Sequence, residues 1–326
     1  MGRSIALRLG LTALGVLLSA VPASAGSKLA VSQYGKLVST FPMAVAFEKG
    51  WFSQNGLDVD GIISPDGGGT SIRNMLASDL PLGEVGFQAV VNTLAKTKLD
   101  LVVVFSSTNT LAELSWITMP NSGIKSPGDL KGKTIGYSNP QSTTESVVRL
   151  VLEKAGVAPD QVKLVATGGL SAGITALTQG GLDATPAIDP FLSLNQDKFG
   201  MVFRAVDYLP RLTYDVGITT RRFAQQHPEQ IRALIEARRR AVKLIYEHPE
   251  ETIPIYAKVW ETDQKTAELM VDRAIQFHYW QEGEFDAEGL ESAIRAMQVV
   301  GALNTDFDPK RFIDQSFLPA DLRRPL

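Results

Sequence analysis

The chain has 326 residues, of which 44% are hydrophobic and 21% are charged, and this is enough for one large or two medium globular domains. A formal net charge of -3, with acidic and basic residues interspersed, argues against nucleic acid as a partner. Cysteine is absent, which excludes disulfides, thiolate metal sites and thiol nucleophiles.

The first 25 residues have the pattern of a secretory signal peptide. Arg3 and Arg8 form a positively charged start, residues 9–21 are mostly apolar, and residues 23–25 form an A-x-A cleavage site. The apolar run is too short to span a membrane stably. We therefore expect a mature protein that begins near Gly26, lies outside the cytoplasm and is not embedded in a membrane.

The chain then alternates predicted strands and helices. Strands are predicted at Leu29–Ser32, in a segment ending near Ile63, at Glu84–Phe87 and at Leu101–Phe105, and helices at Met43–Lys49, Ser71–Ala77 and Ala89–Lys96. The last strand is continuously apolar, as expected of a strand covered on both faces. This alternation favours a parallel sheet with helices on both sides.

A second series of alternating elements follows a strand at Leu114–Thr118. Its strands are predicted at Thr134–Tyr137, Val162–Val165, Asp183–Ile188 and Met201–Val206, and its helices begin at Ser142 and Ser171. The strand-like segment Thr213–Thr219 comes next. Helices are then predicted at Pro228–Tyr246, Pro249–Trp260, Thr262–His278 and Asp286–Val300. Within the first of these helices, Arg238–Arg240 is interpreted as a solvated face.

Strands near Leu114 and Tyr214 indicate a chain that crosses twice between two lobes. The predicted class is therefore α/β, with parallel-type sheets and a helical C-terminal part. The predicted boundaries are 1–25 for the signal peptide, 26–115 for the first part of lobe 1, 116–212 for lobe 2 and 213–326 for the return to lobe 1.

The stretch Lys133–Leu150 carries the main candidate site. A strand passes through a polar loop into a helix that starts at Ser142. A helix start has unpaired backbone N–H groups and a partial positive charge, which suits an anionic or strongly polar small molecule. An alternative is a plain capping box formed by Ser142 and Glu145.

Polar or glycine residues follow nearly every predicted strand. Parallel sheets bind ligands at the C-terminal ends of their strands, so facing lobes would collect these residues in one cleft. The glycines at positions 67–69 would allow backbone to approach a ligand, although a flexible connection is an alternative.

Several stretches resemble the periplasmic substrate-binding proteins of ABC importers for nitrate, sulfonates, taurine and thiamine-pyrimidine precursors. The matching segments are FPMAVAFEKGWFSQNGLDVD, GGGTSIRNMLASDLPLGEVGF, SPGDLKGKTIGYSNPQSTTESVVRLVLEKAGV, GGLDATPAIDPF and RFAQQHPEQIRALIEA. The resemblance implies a type II periplasmic-binding fold in which two lobes close on a small solute. It implies no catalysis, no cofactor and no bound metal, a periplasmic location, an ABC permease as partner and a monomeric protein.

The resemblance also implies a set of ligand-binding positions. These are Ser39, Thr40, Phe41, Gly69, Thr70, Gln88, Ser138, Asn139, Gln141, Ser142, Thr143, Asp189 and Tyr214. No Arg or Lys falls at these positions, so hydroxyls and amides would bind the solute. Asp189 would repel an anion or accept a hydrogen bond from a cyclic N–H donor, or it could instead cap the helix that follows.

Two other functions remain open from the sequence. One is an enzyme on the same fold, which would act on a small heterocycle or sulfur compound without a cysteine nucleophile. A Ser-His-Asp hydrolase would require His227, His248 or His278 in the cleft. The other is a ligand-responsive module whose partner is a sensor.

Overall fold

The computed structural model describes residues 27–304 and 306–326. The predicted signal peptide and its cleavage site lie outside these residues. Within the described part of the chain, no helix is both long and apolar enough to cross a bilayer.

The strands and helices follow the predicted alternation. The strands are β1 (Ser27–Val31), β2 (Val59–Ile63), β3 (Leu82–Gly86), β4 (Leu101–Thr108), β5 (Leu114–Thr118), β6 (Thr134–Tyr137), β7 (Lys163–Ala166), β8 (Thr185–Ile188), β9 (Gly200–Arg204) and β10 (Asp215–Thr220). The helices are α1 (Phe41–Glu48), α2 (Trp51–Gln54), α3 (Gly68–Leu76), α4 (Phe87–Lys96), α5 (Thr143–Lys154), α6 (Leu170–Thr178), α7 (Phe191–Leu194), α8 (Ala205–Tyr208), α9 (Arg221–Gln226), α10 (Pro228–Glu247), α11 (Pro249–Val259), α12 (Gln264–Gln276) and α13 (Ala287–Val299).

The first sheet has the strand order β2-β1-β3-β10-β4. Strand β1 is parallel to both β2 and β3, whereas β10 is antiparallel to β3 and β4. In this register Val216 of β10 lies opposite Val85. Four of these strands come from the first part of the chain, and β10 is the returning strand.

The second lobe repeats this arrangement. Strand β5 lies between β8 and β9 and is antiparallel to both, while β6 and β7 form a parallel pair. A bridge between Ile135 and Ala184, with Gly136 N donating to Ala184 O at 2.7 Å, joins β6 to β8. The combined order of the second lobe is therefore β7-β6-β8-β5-β9. Its antiparallel strand, β5, is the fourth strand, as β10 is in the first sheet.

The prediction of parallel-type sheets is wrong for these two crossing strands. The other strands of each sheet end at the side that faces the opposite lobe. A strand that arrives from the opposite lobe starts at that side, so it must run in the reverse direction. The alternating sequence pattern gives no sign of strand direction, which depends on the path of the chain.

The two connections between the lobes lie side by side. Backbone N–H groups of Leu212 and Tyr214 donate to Asn109 O and Thr108 O, each at 2.9 Å. The Thr213 hydroxyl donates to Asn109 Oδ1 at 3.2 Å. These bonds make the two crossing segments one paired connection. The residue-level lobe boundaries given above remain a prediction.

One charged side chain lies deep in the core of the first lobe. The interpretation of Arg238–Arg240 as a solvated face is wrong for Arg238, whose side chain is 1% exposed. It donates from Nε to Glu84 Oε2 at 3.3 Å, from Nη1 to Gln281 O at 2.5 Å and from Nη2 to Ser107 O at 3.0 Å. Because Arg238 falls on the apolar face of α10, its helical position determines its burial more than its charge does.

We predict that Arg238→Met destabilises the protein by about 3–5 kcal/mol, because it leaves Glu84 buried without its cationic partner. Urea unfolding followed by circular dichroism measures the change. The matched control is Arg222→Met at an exposed position of α9. Equal unfolding free energies for the two variants would contradict the prediction.

Candidate functional site

A cavity of about 390 Å³ lies between the two lobes. Lobe 2 contributes Ser138, Asn139, Ser142, Thr143, Thr144, Gly169, Leu170, Ser171 and Ile188 to its lining. The other side consists of Gln33, Leu37, Leu111, Glu113, Leu114 and Tyr214. The volume is within the range of small-molecule sites, roughly 300–1,000 Å³.

The start of α5 forms one wall of the cavity. Ser142 is the N-cap of this helix, and its Oγ accepts a hydrogen bond from Glu145 N at 3.3 Å. Glu145 Oε2 in turn accepts from Gln141 N at 2.7 Å, one residue before the position that a standard capping box uses. Ser142 therefore caps the helix and also lines the cavity, so the two interpretations of this stretch are compatible.

A cluster of hydroxyl groups covers this wall. Ser138 Oγ lies 3.2 Å from Ser142 Oγ and 2.8 Å from Thr144 Oγ1. Each hydroxyl has one donor and two acceptor positions, so groups bonded to one another can still bind a solute. The cluster provides both donors and acceptors in a small area.

The start of α6 forms a second polar wall. Its N-cap is Gly169, which has no side chain to accept from the free backbone N–H groups of the first turn. Ser171 lies in that turn and is exposed. Two helix N-termini therefore border one side of the cavity, where they favour an acceptor or an anion.

The opposite side has a different character. Leu37, Leu111 and Leu114 supply apolar surface, and the backbone of Gln33 takes the left-handed conformation with a φ of 53°. Glu113, between β4 and β5, is 5% exposed.

Burial raises the pKa of Glu113 to about 8. Hydrogen bonding with the Tyr279 hydroxyl and with the backbone of Val38 lowers this pKa, and Asp215 and Asp189 raise it further. Glu113 is therefore a buried acid, held by Tyr279 and Val38, at the edge of the cavity.

Five of the predicted ligand-binding residues line this cavity: Ser138, Asn139, Ser142, Thr143 and Tyr214. Two more form a contact between the lobes beside it. Gln88 Nε2 donates to Gln141 O, and Thr143 Oγ1 donates to Gln88 Oε1 at 3.2 Å. Gln88 and Gln141 thus hold the lobes together next to the cavity.

The predicted residues of the first loop lie in the protein core. Phe41 packs against Tyr256, Trp260 and Trp280, with ring centroids 5.1–5.7 Å apart. Thr40 donates its hydroxyl to Leu37 O at 2.8 Å, and Ser39 is fully buried near Asp215. None of the three lines the cavity between the lobes.

Gly69 and Thr70 belong to the first turn of α3 and do not line the cavity either. Thr70 Oγ1 accepts from Arg73 Nη2 at 2.9 Å. The preceding Gly68 has a packing role, because a Cβ there would lie 2.3 Å from Ala89 Cβ of α4. Close packing between two helices thus explains Gly68, and a φ of 87° explains Gly67.

Asp189 forms an ion pair with Arg273 of α12, with Oδ2 and Nε 3.0 Å apart. Its Oδ1 accepts from the backbone N–H and hydroxyl of Ser193, while the N-cap residue of α7 is Pro190. Asp189 lies beside a separate small cavity of about 20 Å³ that also borders Glu113. The Asp189 carboxylate is therefore paired with the guanidinium of Arg273 within the protein.

Sequence reasoning missed Gln33, Leu37 and Glu113. Glu113 had a detectable signal, since it is the one charged residue in the short stretch 109–113 between two buried strands. Gln33 and Leu37 lie in the loop after β1, and nothing in their types separates them from ordinary loop residues. No histidine is among the described residues that line the cavity.

A sequence model of the family described as NMT1/THI5 like matches residues 38–252. The chain belongs to this NMT1/THI5-like family. An aliphatic sulfonates-binding protein of Bacillus subtilis (strain 168) is 26% identical over 236 residues, 71% of this chain and 70% of that protein. A formylaminopyrimidine-binding protein of Halalkalibacterium halodurans is 28% identical over 226 residues, 68% of this chain and 67% of that protein.

Solved structures agree on the fold. The periplasmic aliphatic sulphonate binding protein SsuA of Escherichia coli superposes with a TM-score of 0.70 at 17% identity, covering 83% of this chain and 85% of SsuA. The desulfurization enzyme DSZB superposes with a TM-score of 0.65 at 15% identity, covering 89% of this chain and 96% of the enzyme. The predicted two-lobed periplasmic-binding-protein fold and the predicted family are confirmed.

We predict that Ser142→Ala and Thr143→Ala each weaken solute binding roughly 2- to 10-fold, the effect of one lost hydrogen bond. Calorimetric titration with the solute that most raises the melting temperature measures the change. Thr178→Ala, which removes an exposed hydroxyl on α6, is the control. Unchanged affinity in both test variants would remove these residues from the site.

We also predict that thermal stability falls as the pH rises from 5 to 8. Burial raises the pKa of Glu84 to about 7, of Glu113 to about 8 and of Asp215 to about 6, from ordinary values of 4.5 for Glu and 3.8 for Asp. The folded protein therefore holds protons that the unfolded chain has already released in this range, and each ionisation favours unfolding. Melting temperatures across the range test this, and a constant or rising value would contradict it.

Proposed function

We propose that the protein is an extracytoplasmic solute-binding component of an ABC import system. The observation that carries this proposal is one cavity whose polar lining comes from both lobes and from the segments that connect them. Such a cavity can enclose a small molecule completely when the lobes approach. The names of the relatives in this family support the same role.

The solute we propose is a small polar or anionic organic molecule of the sulfonate, nitrate, taurine or pyrimidine type. Helix N-termini and hydroxyl groups at the lobe 2 wall favour groups that accept hydrogen bonds. The protein would act in the periplasm as a monomer and deliver its solute to the transmembrane subunits of a permease. The sulfonate-binding and formylaminopyrimidine-binding relatives support this range of solutes.

The mechanism we propose is hinge closure. The paired crossing segments around Asn109 and Thr213 would bend, while Gln88 of lobe 1 meets Gln141 and Thr143 of lobe 2. A solute that touches both lobes binds the closed form more strongly than the open form, which is the requirement for ligand-driven closure.

The enzyme alternative has little support at the cavity. Its lining contains no histidine within the described chain, and the sequence has no cysteine. A cysteine nucleophile is therefore excluded, and a nucleophile activated by histidine would have to act outside this cavity. The likeness to DSZB concerns the fold, at an identity too low to transfer an activity.

The proposal is tested by a thermal-shift screen of the purified mature protein against sulfonates, nitrate, aminopyrimidines and carboxylates. A solute present at about 100 times its dissociation constant should stabilise the folded state by ~2.7 kcal/mol. We expect at least one solute to raise the melting temperature and to bind with one-to-one stoichiometry in calorimetry. No shift with any member of the panel would contradict the proposed function.

A further inference from the structure

A buried ion pair joins the two lobes beside the cavity. Arg273 of α12 belongs to the returning C-terminal part of the chain, and its guanidinium contacts two residues of lobe 2. Its Nε lies 3.0 Å from Asp189 Oδ2, and its Nη1 donates to Ser193 Oγ at 2.8 Å. The side chain of Asp189 is 5% exposed and that of Arg273 is 20% exposed. The pair is therefore largely shielded from water while the lobes are in contact.

Each half of this contact is held in place by its own lobe. Asp189 Oδ1 accepts from the backbone N–H of Ser193 at 3.1 Å and from its hydroxyl at 2.7 Å, so Oδ2 is left to face a donor from the other lobe. On α12, the side chains of Ala267, Met270 and Val271 are buried and anchor the helix. The two halves can therefore separate as the lobes move, without either half losing its own support.

The contact lies next to the solute cavity but leaves no space for a solute. The small cavity beside it measures about 20 Å³, enough for roughly one water molecule. Glu113 lines both this small cavity and the larger one between the lobes. Because the guanidinium of Arg273 meets the carboxylate of Asp189 directly, the pair can affect solute binding only through the relative position of the lobes.

A second ion pair between the lobes has the same charges in a different environment. Arg295 of α13 lies 3.2 Å from Glu153 of α5, and these side chains are 56% and 57% exposed. Such a pair stabilises little, because water and salt screen it. Removing one partner of a buried pair instead leaves the other charge uncompensated inside the protein. Opening of the lobes would return water to Asp189, so this cost applies to the closed form alone.

We propose that Arg273 is a positioning residue for lobe closure, whose contact with Asp189 and Ser193 stabilises the closed form over the open form even in the solute-free protein. Every group in the contact belongs to the chain, so the contact needs no solute. A solute that binds the closed form binds more tightly when that form is already populated. This inference rests on the hinge closure proposed above and goes beyond it by assigning a residue that biases the equilibrium.

The test measures the distance between the lobes in the solute-free mature protein. Because the sequence has no cysteine, two introduced cysteines can carry spin labels without competing sites. Asp66→Cys, after β2, and Thr175→Cys, on α6, are exposed positions of the two lobes that do not line the cavity. Pulsed electron paramagnetic resonance then gives the ratio of the shorter, closed distances to the longer, open ones.

We expect the labelled protein to show the shorter distance, and Arg273→Met to lower the closed-to-open ratio by about 10-fold or more. The matched control, Arg295→Met, should change the ratio by less than about 3-fold, because its pair is exposed. Adding Asp189→Asn to Arg273→Met should restore part of the ratio, since the uncompensated carboxylate is then removed. A general loss of packing would not be restored by this second change.

A ratio in Arg273→Met equal to that in Arg295→Met, no restoration by Asp189→Asn, or no shorter distance in the labelled protein would overturn the inference. If Arg273→Met does not fold, Ser193→Ala decides, because it removes one hydroxyl of the contact. A ratio lowered roughly 2- to 10-fold by Ser193→Ala supports the inference, and an unchanged ratio overturns it. The thermal-shift screen is independent of these results, so a panel without any binding solute would contradict the proposed function alone.

Discussion

The structure depends on the pairing of the two segments that pass between the lobes. Residues around Asn109 and Thr213 are hydrogen-bonded to each other, so the lobes are joined by one narrow paired connection. This connection fixes the direction of β5 and β10, which enter their sheets from the side of the cleft. It also places Glu113 and Tyr214 at the base of the cavity. The paired connection therefore determines both the direction of these two strands and some of the residues that line the cavity.

Buried charged side chains also constrain how the parts of the fold are joined. Arg238 links Glu84 with backbone carbonyls of Ser107 and Gln281, and thereby joins the first sheet to the C-terminal helices. Asp189 and Arg273 form a similar pair between the lobes. Burial raises the pKa of three acids of this group, Glu84, Glu113 and Asp215.

The sequence predicted the element order, the two crossings and the polar wall at the start of α5. These features depend on local periodicity and capping, which short stretches encode. Ser39, Thr40 and Phe41 follow a strand as predicted but turn into the core, so they are not among the residues that line the cavity. The sequence interpretation failed for Arg238, where residue charge suggested solvent and helical position required burial. Strand direction and the position of Glu113 beside the cavity depend on contacts between distant segments, which one sequence does not display.

A crystal structure of the mature protein with the solute that binds most tightly in the screen tests most directly whether the gap between the lobes is the binding site. We predict the solute between the lobes, with one end against the N-terminus of α5 near Ser142. A solute bound in the groove between α5 and Val299, or on the surface around Arg204, would contradict this central claim.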